Sequence, residues 1–311
     1  MGGLCVDLRV ELAGIRLRNP LVLASGILGT TPSLLKRVEK AGAGAVTTKT
    51  LTLRPRPGYP NPVIVELDFG FVNAMGLPNP GVDCFLNELY GERKVEIGIP
   101  VIISVGGASA EEFSIISSKL RKYPVEVVEL NLSCPHVKGH GLELGSDPEA
   151  VYEVVSNVRS NLPHTPLFVK LSANVASVLD IAEAALRAGA SGFVAVNTLR
   201  ATVIDIYAKK PVLSNVYGGL SGPAIRPVAV RVVYELYENF PRVPIIGVGG
   251  VDSWRAAVEF LLAGASAIGV GSVIARKDLA VFSEILKGLK TYLEAEGYER
   301  VGDIVGLAHK D

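Results

Sequence analysis

The sequence predicts an α/β chain folded as a single (β/α)8 barrel, the TIM-barrel architecture, across residues 1–311. Three observations carry that expectation. Eight short runs rich in Val and Ile alternate with helical patterns along the chain. The runs are apolar throughout instead of alternating, as parallel strands buried on both faces are. Each ends in glycine or small polar residues, where such a strand would open into a loop. A doubly wound sheet is the competing arrangement, but it gives the last two similar βα units no obvious place.

The strands are expected at 20–26 (PLVLASG), 44–50 (GAVTTKT), 100–107 (PVIISVGG), 127–133 (VVELNLS), 167–172 (LFVKLS), 192–198 (GFVAVNT), 244–250 (PIIGVGG) and 267–272 (AIGVGS). Helix starts are written between them. Thr31-Pro32 pairs an N-cap with proline at the first helical position, and Ser109 and Glu112 have capping-box spacing. Asp147-Pro148 opens a helix that runs through Asn161. The helical patterns VLDIAEAALRAGA and WRAAVEFLLAGA both close on Ala-Gly-Ala, with glycine at the C-terminus. A last helix follows from about Asp278. Long loops are expected after strands 2, 4 and 6, at the face where barrel enzymes build their sites: residues 51–80, the Pro135–Gly145 stretch as a lid, and residues 199–222.

Apolar residues make up 49% of the chain and charged residues 20%, which excludes a disordered chain. Lys plus Arg and Asp plus Glu are equal at 31 each, giving no bias toward nucleic acid or an anionic membrane. Cys5, Cys84 and Cys134 are far apart, without the spacing of a zinc site or a disulfide framework. His136, His140, His164 and His309 show no metal-ligand spacing either. The sequence offers no signal-peptide core and no bilayer-spanning run, so a cytoplasmic protein is expected. Glutamine is absent while Val, Ile, Pro and Glu are plentiful, a bias of heat-adapted proteins.

Strand ends that are distant in sequence share one mouth in a barrel. Here they carry Ser25, Lys49, Thr50, Ser104, Asn131, Cys134, Lys170, Asn197, Thr198, Gly249, Gly250, Gly271 and Ser272. A lysine inside an apolar strand is costly unless it is paired or used, which singles out Lys49 and Lys170. The last two strands end in GVGG and GVGS. Glycine there lets backbone amides approach a phosphate, so a phosphorylated ligand is expected. Asn73 lies in NAMGLPN, where a bend offers the amides of Gly76 and Leu77. Cys5 and Cys84 read as small packed hydrophobes. Cys134 stands past a strand end between Ser133 and Pro135, and its residue type allows either a general base or a nucleophile.

Five ordered segments then point to a family: VELAGIRLRNPLVLASG, NAMGLPNPG, NLSCPHVKG, YGGLSGPAIRPVAV and IGVGS. Together they resemble the class 1 dihydroorotate dehydrogenases almost end to end. The resemblance implies an FMN-containing barrel that oxidises dihydroorotate to orotate in pyrimidine biosynthesis. Cys134 would take the proton from C5 while hydride leaves C6 for flavin N5. Orotate would be held by Lys49, Asn73, Met75, Gly76, Leu77, Asn131, Asn197 and Thr198. FMN would be held by Ser25, Lys49, Thr50, Ser104, Asn131, Lys170, Val196, Gly222, Gly249, Gly250, Gly271 and Ser272, the last four around its phosphate. His136 and Ser104 depart from the family pattern, which usually has asparagine at both. NPGVD, GSDPEAV and GGLSGPAIRP look closer to class 1B. That subclass implies a homodimer or a heterotetramer with a subunit carrying FAD and an iron–sulfur cluster, which passes electrons to NAD. Class 1A would use fumarate. A dihydropyrimidine dehydrogenase-like subunit, acting on dihydrouracil or dihydrothymine, and a flavin electron-transfer subunit without its own substrate are the rival readings.

Overall fold

A computed structural model describes residues 6–92, 94–132 and 142–310. Eight parallel strands close into a barrel in sequence order: β1 (Leu21–Leu23), β2 (Ala45–Thr47), β3 (Val101–Val105), β4 (Val127–Asn131), β5 (Leu167–Leu171), β6 (Gly192–Ala195), β7 (Ile245–Val248) and β8 (Ala267–Val270). β8 returns to β1 with Ile268 beside Leu21, and β5 joins β6 with Phe193 beside Val169. Each strand falls inside the window expected from the sequence. Their helices are α1 (Pro32–Lys40), α2 (Val82–Tyr90), α3 (Ala110–Leu120), α4 (Pro148–Asn161), α5 (Val178–Arg187), α6 (Arg226–Asn239), α7 (Trp254–Leu262) and α8 (Ala280–Glu296).

Strand parity sorts the core into two shells. Leu21, Leu23, Ile103, Val128, Leu130, Val169 and Ile268 point outward and pack with the helices. Val22, Ala45, Ile102, Val127, Phe168, Val194, Ile246 and Ala267 point inward and pack with one another. Leu12 and Leu17 join this inner cluster from an N-terminal hairpin, Val10–Leu12 with Ile15–Leu17, that stoppers one end of the barrel. Burying each such side chain contributes about 1.5–3 kcal/mol.

The caps follow the sequence. Thr31 accepts from the Leu34 amide, and Asp147 from that of Glu149. Ser109 accepts from the amide of Glu112, but the Glu112 carboxylate reaches Ala108 N at 2.6 Å in place of the Ser109 amide a capping box would use. Gly189 and Gly264 stand just past the ends of α5 and α7. Two expectations need revision. Cys84 is exposed, because α2 buries Val82, Phe85, Leu86 and Leu89 and leaves position 84 on the opposite side. Leu142–Ser146 form a short helix, so the stretch read as a loop to Gly145 ends earlier. A further short helix, Ile274–Lys277, precedes α8, which begins at Ala280.

The long connections after β2 and β6 are not separate loops. Ile64–Leu67 and Gly70–Asn73 form a hairpin from the first, Leu199–Ala201 and Gly218–Ser221 come from the second, and the four pair in one antiparallel sheet. No helix among the described residues is long and apolar enough to cross a membrane.

Candidate active site

The inward parity that places Ile102, Val127 and Phe168 in the core continues upward along the same strands to Ser104, Glu129, Asn131 and Lys170. The barrel interior therefore changes from apolar to polar within one or two residues. Lys49 and Lys170 are buried, only 7% and 6% exposed, so neither snorkels at the surface. Above this layer lies a cavity of about 460 Å³, within the range of small-molecule sites. The antiparallel sheet supplies part of its wall through Ile64, Phe71, Asn73 and Ser221, and the loops after β7 and β8 supply another.

Of the residues expected to bind a ligand, Ser25, Lys49, Thr50, Asn73, Met75, Gly76, Leu77, Asn131, Lys170, Val196, Asn197, Thr198, Gly222, Gly249, Gly250, Gly271 and Ser272 line this one cavity. Ser104 does not. It is fully buried behind Thr50, one layer below the cavity surface. Cys134 and His136 lie outside the described residues.

Thr50 ties the floor together. Its hydroxyl accepts from Asn131 Nδ2 at 2.9 Å and lies 3.1 Å from Ser25 Oγ and 3.0 Å from Ser104 Oγ. Ser104 Oγ in turn donates to Glu129 Oε1 at 2.6 Å. A carboxylate only accepts, so the Ser104 proton is committed to Glu129 and Thr50 must donate to Ser104. Glu129 Oε1 is 3.9 Å from Lys170 Nζ, a buried ion pair. Asn197 reaches Asn131 Oδ1 at 3.5 Å and accepts from the Thr198 amide at 2.8 Å. The Thr198 hydroxyl is buried without a hydrogen-bond partner among the described residues, although its residue lines the cavity.

At the opposite end, Gly249 and Gly250 have φ of +133° and +75°. A Cβ would come within 2.8 Å of Ala229 Cβ at the first and 2.8 Å of the Gly222 carbonyl at the second. Only glycine suits that bend, which leaves bare backbone facing the cavity. Among the described residues, four cationic side chains line the cavity (Lys49, Lys170, Arg276 and Lys277) with one carboxylate, Asp252. Three of these cations also face carboxylates outside the lining: Lys170 with Glu129, Arg276 with Glu66 and Lys277 with Glu284.

Asn79 organises the segment that carries Gly76 and Leu77. Its Oδ1 accepts from the amides of Thr52 and Gly81, at 3.1 and 2.9 Å, and its Nδ2 donates to the Leu77 carbonyl at 2.8 Å. Leu77 is thereby held at φ +55°, unusual for a residue with a side chain. Glu129 and Asn79 were not singled out from the sequence. For Glu129 the signal was present, since a carboxylate in an apolar strand is as anomalous as the lysines.

A family model described as dihydroorotate dehydrogenase matches residues 7–293. The chain belongs to the dihydroorotate dehydrogenase family. It is 51% identical over 304 residues to a protein of Pyrococcus horikoshii, with 97% of this chain and 98% of the relative covered. It is 49% identical over 303 residues to one of Pyrococcus abyssi, covering 97% and 99%. A relative from Methanocaldococcus jannaschii is 46% identical over 305 residues, covering 97% and 98%. All three carry the name dihydroorotate dehydrogenase B (NAD(+)), catalytic subunit. Membership of the dihydroorotate dehydrogenase family implies a flavin cofactor and is consistent with the barrel described above.

Proposed function

We propose that this chain is the FMN-bearing catalytic subunit of a B-type dihydroorotate dehydrogenase. It oxidises (S)-dihydroorotate to orotate and sends the electrons through a separate electron-transfer subunit to NAD. The observation that carries the reading is the single cavity in which lysines, amide side chains and bare glycine backbone converge. The subunit name of the relatives supports the partner and the acceptor.

The residues present fit an FMN. The Thr198 hydroxyl marks a polar position that the described residues leave unsatisfied. The Gly249-Gly250 bend admits no Cβ, which would press on Ala229 and on the Gly222 carbonyl, so its backbone stays bare. Ser25, Thr50, Asn131, Lys170, Val196 and Gly222 would hold the ring and its ribityl chain, with Gly249, Gly250, Gly271 and Ser272 around the phosphate. When bound, flavin supplies the hydride acceptor. Asn73, Asn197, Thr198, Lys49 and the backbone of Met75, Gly76 and Leu77 would orient the substrate and pair its carboxylate and carbonyls. Cys134 would take the proton from C5.

Anaerobic addition of dihydroorotate to the purified, flavin-loaded chain tests this reading. Bleaching of the flavin by dihydroorotate and not by dihydrouracil is expected; bleaching by dihydrouracil alone would transfer the chain to the dihydropyrimidine group. Cys134→Ser should slow flavin reduction about 10²-fold or more and alter its pH dependence. An unchanged rate and pH profile would remove Cys134 as the base.

A further inference from the structure

We infer that Glu129 is a positioning residue of the cofactor site: it is the buried counter-charge that holds Lys170 at the cavity floor and lowers the reduction potential of the bound flavin. The inference rests on the flavin reading above and deepens it. Lys170 lines the cavity, whereas Glu129 does not, so the carboxylate acts from behind its partner. Both are almost fully buried, with relative exposures of 2% for Glu129 and 6% for Lys170.

The register explains how they meet. Lys170 on β5 sits opposite Asn131 of β4, while Glu129 sits opposite Phe168, one inward-facing step lower. Lys170 Nζ nevertheless comes within 3.9 Å of Glu129 Oε1, which draws the ammonium toward the floor and away from the cavity mouth. The same carboxylate oxygen accepts from Ser104 Oγ at 2.6 Å. Ser104 is itself bonded to Thr50, which lines the cavity. Glu129 is thus tied to the site by an ion pair on one side and a hydroxyl pair on the other. A buried carboxylate is costly unless it is paired and hydrogen-bonded, and here Oε1 faces Lys170 and accepts from Ser104.

The consequence is electrostatic. Flavin gains negative charge on reduction, so a facing ammonium favours the reduced form. A carboxylate directly behind that ammonium offsets part of its field. The donor from Ser104 withdraws charge from the carboxylate and limits the offset. Glu129 and the Ser104 hydroxyl that bonds it therefore act with opposite sign on the bound cofactor, an effect that packing alone would not produce.

The test is the midpoint potential of the purified, flavin-loaded chain, read by equilibrium titration against a reference dye. Glu129→Gln keeps the shape and the acceptor for Ser104 but removes the charge. It should raise the equilibrium constant for flavin reduction at least tenfold, about 30 mV for a two-electron couple. Ser104→Ala leaves the ion pair in place and should lower that constant at least threefold. An unchanged or lower potential in Glu129→Gln, or an unchanged or higher one in Ser104→Ala, would overturn the inference. A chain that purifies without binding flavin would instead overturn the underlying functional reading, so the two failures are told apart by the absorbance spectrum before any titration.

Discussion

At the scale of single residues, Thr50 decides how the polar floor is wired, because one hydroxyl serves Asn131, Ser25 and Ser104. Thr50→Val preserves the shape and leaves the buried Asn131 amide without its acceptor, a loss of about 1–3 kcal/mol. Chemical denaturation of wild type and variant should show that difference, together with weaker flavin retention. Tyr90 offers a second prediction, on pH. Burial, assisted by the nearby Glu126 carboxylate, pushes its phenol from the usual 10 up to about 12. The neutral form is favoured in the folded protein, so this contribution is fully present below pH 10 and is lost as pH rises from 10 to 12. Unfolding free energies measured across that window should fall less steeply for Tyr90→Phe than for wild type. The cavity residues at the strand ends were legible in the sequence because strand ends converge in a barrel and because Lys49 and Lys170 violate an apolar pattern, whereas Met75, Val196 and Gly222 followed only from the family resemblance. Ser104 was misplaced for a related reason: strand parity points it inward, but its height along β3 sets it behind Thr50, and height is not written in a period of two.

At the scale of elements, the barrel strands and helix caps could be read directly, since their signals are local: apolar runs, Ser, Thr or Asp at N-caps, glycine after the last turn. The antiparallel sheet beside the mouth could not. Its strands come from connections more than a hundred residues apart, and the pairing of Asn73 with Gly219 has no local signal. The same reasoning applies to the segment 73–81, whose turn residues are visible but whose shape depends on Asn79 reaching back to Thr52. Asn79→Ala removes every one of those bonds, and the bend that presents Gly76 and Leu77 loses its tie. Because Asn79 does not itself line the cavity, flavin content should stay near wild type while KM for dihydroorotate rises about tenfold or more, as expected when bound geometry is loosened. Steady-state kinetics on the flavin-normalised variant check this. A fall in flavin content with unchanged KM would assign Asn79 to cofactor retention.

At the scale of the whole molecule, the cavity joins parts of the chain that the barrel connects only through its hydrogen-bonded ring. Ser25 follows β1, Lys49 and Thr50 follow β2, Val196 follows β6, and Gly249 and Gly271 follow β7 and β8. A ligand that touches all of them bridges the β8–β1 seam, where the ends of the sheet close. Folded chain binds it and unfolded chain does not, so binding adds RT ln(1 + [L]/Kd) to stability, about 2.7 kcal/mol at a ligand concentration one hundred times Kd. Removing the flavin should therefore lower the thermal unfolding midpoint, and added FMN should restore it in a concentration-dependent way. Riboflavin, which shares the ring but lacks the phosphate, separates the two ends of the site. If the Gly249-Gly250 and Gly271-Ser272 backbone holds the phosphate, riboflavin at equal concentration should recover only part of the lost midpoint. Gly249→Ala, whose Cβ would press on Ala229 at a φ of +133°, should bring the response to FMN down to that to riboflavin. Equal recovery by both ligands in the wild-type chain would place the main anchoring on the ring and the lysines, and would leave the two glycine bends as turns alone.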